Sequence, residues 1–198
     1  ITEEVEIKIP AFRVVPVFDV SQTDGKELPD IGVNELSGSV EDYEDFMQAL
    51  TEVSPVPITY EDIEGEAKGY FHTTDHRIAI QEGMSQSQTV KTAIHEVAHA
   101  KLHDREQNQD IDAVLDKDRN TKEVEAESVA YTVCQHFGID TSDYSFGYIA
   151  GWSSDRDMKE LKSSLDIIRK TASELITGIE DRLAELQKDR AVEQEQNK

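Results

Sequence analysis

The stretch Thr92-Ala93-Ile94-His95-Glu96-Val97-Ala98-His99-Ala100-Lys101-Leu102-His103 is apolar and Ala-rich, with no Gly or Pro. Such a run is expected to be helical. On a helix His95 and His99 are four apart and share one face. Two imidazoles so placed both reach one tetrahedral zinc. Glu96 is turned by about 100° from His95, so it sits beside the metal and does not bind it. That is where a general base for a zinc-bound water belongs. The four-letter pattern His-Glu-x-x-His also arises by chance. The bland alternative is an amphipathic helix with two satisfied core histidines, so a zinc site needs further support.

A catalytic zinc held by two His needs a third protein ligand and an open position. The segment Thr121 to Phe137 reads as a second helix, stopped by Gly138, and carries Glu123, Glu125 and Glu127. Its apolar face is formed by Ala126, Val129, Ala130, Val133 and Phe137. Glu123 lies about 60° from the centre of that face, and Glu125 and Glu127 about 100° away on opposite sides. Glu123 is therefore the inward-pointing candidate ligand. Glu127, one turn on, is placed to accept a hydrogen bond from a ligand histidine, as zinc-bound imidazoles usually require. Glu125 is expected to face solvent. His103 shares the face of His95 and His99, but three His along one helix span too far for one tetrahedral ion. A supporting or structural role is expected for it. A further donor should steady an oxyanion. Tyr131, Tyr148, His103 and His136 are candidates, and the sequence does not choose among them.

The 198 residues suffice for one sizeable domain or a domain with an appendage. With 42 acidic and 20 basic residues the formal charge is −22. That argues against direct binding of nucleic acid, which needs clustered Lys and Arg. A DNA-mimicking surface aimed at a DNA-binding protein stays compatible with it, as does a merely solvated face. Cys134 is the only cysteine, so an internal disulfide and a Cys-rich metal site are both excluded. A cytoplasmic location fits one free thiol. No apolar run approaches a membrane span, and no signal peptide is visible. The first residue is Ile1, so a longer parent protein with further domains is expected.

In order, residues 1–11 read as a leader and 12–187 as one domain. Its sheet-rich part is 12–83, the metal-binding helices span 85–138, and C-terminal helices fill 141–187. Phe12 to Val20 is β-branched and aromatic, hence a strand, with Pro16 at an edge or bulge. Glu41 to Val53 is a helix with Tyr43, Phe46, Met47 and Leu50 as its core stripe, capped by Ser39 or Asp42. Ile58 to Tyr60 is a short strand. Gly69 to His72 and His76 to Ile80 form a hairpin whose flanking His72 and His76 are surface residues. The metal-binding helix runs from about Ser87 to Asp104, followed by a flexible loop at 105–118. A short helix lies between Tyr144 and Trp152. A long last helix carries Leu161, Leu165, Ile168, Ala172, Leu175, Ile179 and Leu183 as one stripe. The tail 188–198 is expected to be disordered.

The combination resembles a gluzincin-type zincin, and more closely the metallopeptidase-like domain of ArdC-type antirestriction proteins and LtrC-like proteins of plasmids and conjugative elements. It is also similar to ImmA/IrrE peptidases. The matching residues are Val17-Phe18-Asp19, Gln22-Thr23 and Gly25, then Ala93 to His103. Glu123 and Glu127 with Cys134 follow, then Phe146-Gly147-Tyr148-Ile149-Ala150 and Trp152. The resemblance implies zinc ligands His95, His99 and Glu123 with Glu96 as catalytic base. It implies an α+β zincin-like fold, mainly helical, with a small mixed β-sheet and a long C-terminal helix. The separate N-terminal single-stranded-DNA domain of ArdC-type proteins has no counterpart here. Ala98 stands where ImmA-like members usually carry Gly.

The leading expectation is a zinc-dependent metallopeptidase domain that hydrolyses a peptide bond in an unidentified polypeptide substrate. The alternative is an antirestriction or interaction module whose zinc site is structural or vestigial. A purely structural domain within a conjugation protein is a third reading.

Overall fold

A computed structural model describes residues 36, 38–104, 117–141 and 158–196. The expected leader, the strand at 12–20, all but the last two residues of the loop at 105–118 and the helix at 144–152 lie outside these residues. So does Tyr148.

The fold is α+β and mainly helical, with elements in the order α1, β1, β2, β3, α2, α3, α4. Helix α1 spans Tyr43–Val53 and buries Phe46, Met47, Ala49 and Leu50. Asp42 occupies its N-cap position in a left-handed conformation (φ 50°), and its side chain makes no capping bond. Ser54, Pro55 and Pro57 end the helix, since Pro has no N–H to continue it. The strands β1 (Ile58–Glu61), β2 (Gly69–His72) and β3 (Arg77–Gln81) form one mixed sheet in the order β1-β3-β2. β2 and β3 are the expected hairpin, paired antiparallel with Tyr70 opposite Ala79. β1 adds in parallel on the other side of β3, with Thr59 opposite Ala79. Central β3 is covered on both faces, so Ile78, Ala79 and Ile80 are all buried.

Helix α2 (Gln86–His103) lies between this sheet and the helix α3, Arg119–His136. Ser85 caps α2 by accepting from the Gln88 N–H at 3.2 Å, and Asp118 caps α3 by accepting from the Thr121 N–H at 2.8 Å. Gly138 closes α3 in the left-handed region, φ 72°, as expected of a C′ glycine. Val90, Ala93, Ile94, Val97, Ala98 and Ala100 of α2 have no exposed surface. Ala98 therefore faces packed core, and its methyl is accommodated there. β2 presses close to α2: a Cβ at Gly69 would lie 2.7 Å from the Thr92 methyl and 3.0 Å from the Ala79 carbonyl oxygen. Only glycine allows that approach.

Helix α4 (Met158–Gln196) packs on α1 and α3. Two expectations are corrected here. Leu165 is 42% exposed, and the buried stripe is Ser164, Ile168, Thr171, Ala172, Leu175 and Ile179. A polar Ser164 takes the inward position because it donates to a buried carboxylate, as described below. The helix also continues to Gln196, so the tail from 188 to 196 is helical. Residues 187–196 are mostly good helix formers, and Arg190 pairs with both oxygens of Asp45 on α1. Among the described residues no helix is long and apolar enough to cross a membrane.

Candidate metal centre

Helix α2 sets four side chains at intervals of four along one face: Lys91, His95, His99 and His103. Helix α3 meets that face with Glu123 and Glu127, themselves four apart. The crossing brings His95, His99 and Glu123 together, with one ligand atom from each lying within 4.8 Å of the others. The Nε2 atoms of the two histidines are 3.1 Å apart. Glu123 Oε2 is 3.6 Å from the first and 3.5 Å from the second. In a tetrahedral site with bonds of about 2.05 Å, ligand atoms sit about 3.3 Å apart. The three edges bracket that value. Three lone-pair-bearing atoms so close need a proton or a cation between them, and the donor set suits a divalent ion. The residues thus fit the metal that the sequence pattern calls for.

The site opens onto a cleft of about 660 Å³, lined by β2 on one side and by the first turns of α3 on the other. Glu96 also lines the cleft. It is buried, and Phe71 of β2 lines the cleft with it. Burial raises the Glu96 pKa, against the opposing pull of His95 and His99. That is the direction a carboxylate needs in order to accept and return a proton. Burial also lowers the pKa of His95, but the Glu123 and Glu127 carboxylates beside it outweigh that and carry it to about 9. The two imidazoles beside it, His95 and His99, hold Glu123 well below the usual carboxylate range.

Glu127 stands behind His95, with Oε2 3.1 Å from Nδ1. That contact is close without being aligned as a hydrogen bond. The same Oε2 is 2.7 Å from Lys91 Nζ, and both side chains are almost wholly inaccessible. Burial raises the Glu127 pKa, but His95 and Lys91 bring it to about 2. Burial pulls Lys91 down, and Glu127 opposes it.

His103 reaches the site through His99: the two Nδ1 atoms are 3.0 Å apart. Its Nε2 is 3.1 Å from Glu125 Oε2. Burial lowers the His103 pKa, Glu125 opposing. Glu125 is a correction, for it is fully buried where solvent exposure was expected. Helix α4 covers that side of α3, which a helical wheel of α3 alone does not reveal. Glu125 accepts from Lys117 Nζ at 2.9 and 2.8 Å and from Ser164 Oγ at 2.8 Å.

Two oxyanion candidates are elsewhere. Tyr131 does not line the cleft, and His136 is on the far end of α3, 2.8 Å from Glu180. His72 and His76, both expected at the surface, are half-buried, His72 3.3 Å from Asp75 and His76 3.2 Å from Asp104. Cys134 is buried, which pushes its thiol up to about 12 and leaves it unreactive. Sequence reasoning missed Lys91, Lys117 and Ser164. Only Lys91 had a local signal, its place four residues before His95.

The chain is 40% identical over 115 residues to an uncharacterized protein of Bacillus anthracis, a match covering 58% of this chain and 18% of that protein. The chain thus spans about a fifth of that relative's length. Crystal structures of the antirestriction ArdC protein from the R388 plasmid resemble it at 22% identity over 85% of this chain. The metal-free form gives a TM-score of 0.45 over 58% of that protein, and the Mn(II)-bound form 0.43 over 60%. Residues 51–141, which hold the sheet, α2 and α3 and thus every side chain of the metal constellation, match the IrrE N-terminal-like domain of peptidase family M78.

Proposed function

We propose that this segment is a zinc-dependent metallopeptidase domain that hydrolyses a peptide bond in a polypeptide substrate. The observation that supports it most is the convergence of His95, His99 and Glu123 at tetrahedral spacing beside a buried Glu96, at the wall of an open cleft. His95 and His99 supply Nε2 lone pairs, and Glu123 supplies one carboxylate oxygen. A bound zinc would polarise the scissile carbonyl and acidify a water. Glu96 would take the proton of that water on its carboxylate and deliver it to the leaving amine. Among the described residues, β2 at the cleft wall is an edge strand of the sheet.

The test compares the zinc-loaded protein with Glu96→Gln, each incubated with a bacterial lysate, followed by mass spectrometry of new peptide N-termini. New termini with the first and none with the second, at equal zinc content, is the expected result. If the zinc-loaded protein generates no more new termini than Glu96→Gln does, the peptidase reading fails. An interaction module with a structural zinc would then be the better account.

A further inference from the structure

We infer that Glu125 and His103 are positioning residues for the metal centre: a buried carboxylate that fixes, through His103, which nitrogen of His99 faces the metal. The inference rests on the metal-site reading above.

The hydrogens along this line can be placed one by one. Glu125 has no exposed surface, and Lys117 and Ser164 both donate to it. Surrounded by donors, its carboxylate is an acceptor only. The His103 Nε2 at 3.1 Å must therefore carry the hydrogen. A neutral imidazole has one N–H, so His103 Nδ1 is left with its lone pair. The His99 Nδ1 at 3.0 Å then has to donate to it. That leaves the His99 lone pair on Nε2, the atom facing His95 Nε2 and Glu123. One carboxylate on the far side of His103 thus selects the ligating tautomer of His99.

His95 is served differently. Its Nδ1 faces Glu127 directly, at 3.1 Å. The three glutamates at alternate positions of α3 then all act on one site: Glu123 at the metal position, Glu127 behind one histidine, Glu125 behind the other through His103. Each supporting carboxylate has its own lysine, Lys91 at 2.7 Å and Lys117 at 2.8 Å. Ser164 also joins the His99 line to α4, so the last helix helps hold the metal centre.

The test measures binding of Zn²⁺ and Co²⁺ to wild type, Glu125→Gln, His103→Ala, Glu127→Gln and the doubles, using a competing chelator and the visible spectrum of bound Co²⁺. Glu125→Gln is expected to weaken binding 10- to 100-fold and to alter the Co²⁺ bands, which a merely structural role would leave unchanged in the folded protein. Glu125→Gln in the His103→Ala background should add little, because both act on one line. Glu125→Gln with Glu127→Gln should multiply their losses. Urea unfolding of each metal-free variant confirms that binding is measured on folded protein; if Glu125→Gln does not fold, His103→Ala with and without Glu127→Gln carries the same comparison. Wild type binding one ion while the folded single variants lose less than threefold overturns the relay alone. Losses of Glu125→Gln and His103→Ala that multiply in full also overturn it. Wild type binding neither ion overturns the metal reading and the relay with it.

Discussion

Lys91 offers the sharpest test of how the centre is held. Its ammonium and the Glu127 carboxylate are 2.7 Å apart and 3% and 1% exposed. Replacing Lys91 by Met keeps most of the volume and removes the cation. Burial pushes the Glu127 pKa up, and His95 and Lys91 together bring it from 4.5 to about 2. At about 1.4 kcal/mol per pH unit, that fall is worth about 3 kcal/mol, net of desolvation. Without Lys91 the desolvation cost stays whole and one of the two compensating partners is gone. Removing one partner of a buried pair costs about 3–5 kcal/mol, so Lys91→Met should destabilise the protein by about 3 kcal/mol at pH 7, His95 still compensating part of the Glu127 burial. The sign with pH follows from the depressed carboxylate. Its contribution is fully present above pH 4.5 and fades as pH falls toward 2, so wild type should lose stability across that window and Lys91→Met should lose less. The double variant Lys91→Met/Glu127→Leu buries no charge and should recover most of the stability. It should still bind zinc 10- to 100-fold more weakly, because His95 has lost its carboxylate. Urea unfolding in the presence of a chelator measures the stabilities. A single variant within about 1 kcal/mol of wild type, or a double no more stable than the single, would refute this reasoning.

In the metal-free protein His95 holds its proton up to about pH 9, and an ion must displace that proton to bind Nε2. Zinc affinity should therefore rise about tenfold per pH unit from pH 7 to 8.5, with close to one proton released per ion. Chelator competition and calorimetry in buffers of different ionisation enthalpy report both, and a flat profile counts against a protonated His95. Gly69→Ala should destabilise by about 1–3 kcal/mol, because its methyl meets the Thr92 methyl at 2.7 Å and a backbone oxygen at 3.0 Å. Since Gly69 and Phe71 line the cleft beside Glu96, Gly69→Ala should also lose more turnover than zinc; unaltered stability would mean that β2 does not press on α2.

Legibility in the sequence tracked how local the cause was. The helix with His95, Glu96 and His99 follows from spacing alone, as do the hairpin, the Gly138 stop and the inward turn of Glu123. Leu165, Glu125 and the tail were misplaced for one reason: each depends on a neighbour distant in sequence. On α3 by itself, Glu125 sits beyond the apolar stripe, so exposure is the natural reading. Helix α4 covers that side and brings Ser164, 39 residues away, to its carboxylate. Leu165 is outside for the complementary reason, since Ser164 takes the inward place that a hydrophobic stripe would assign to a leucine. The tail stays helical where Arg190 meets Asp45, 145 residues apart. A buried polar network leaves little periodic trace, because each member is polar and each is satisfied by a different element. Apolar periodicity locates the core, and it fails where a core carries charge. Here that place lies directly behind the metal ligands, so the residues hardest to read are the ones that aim His95 and His99.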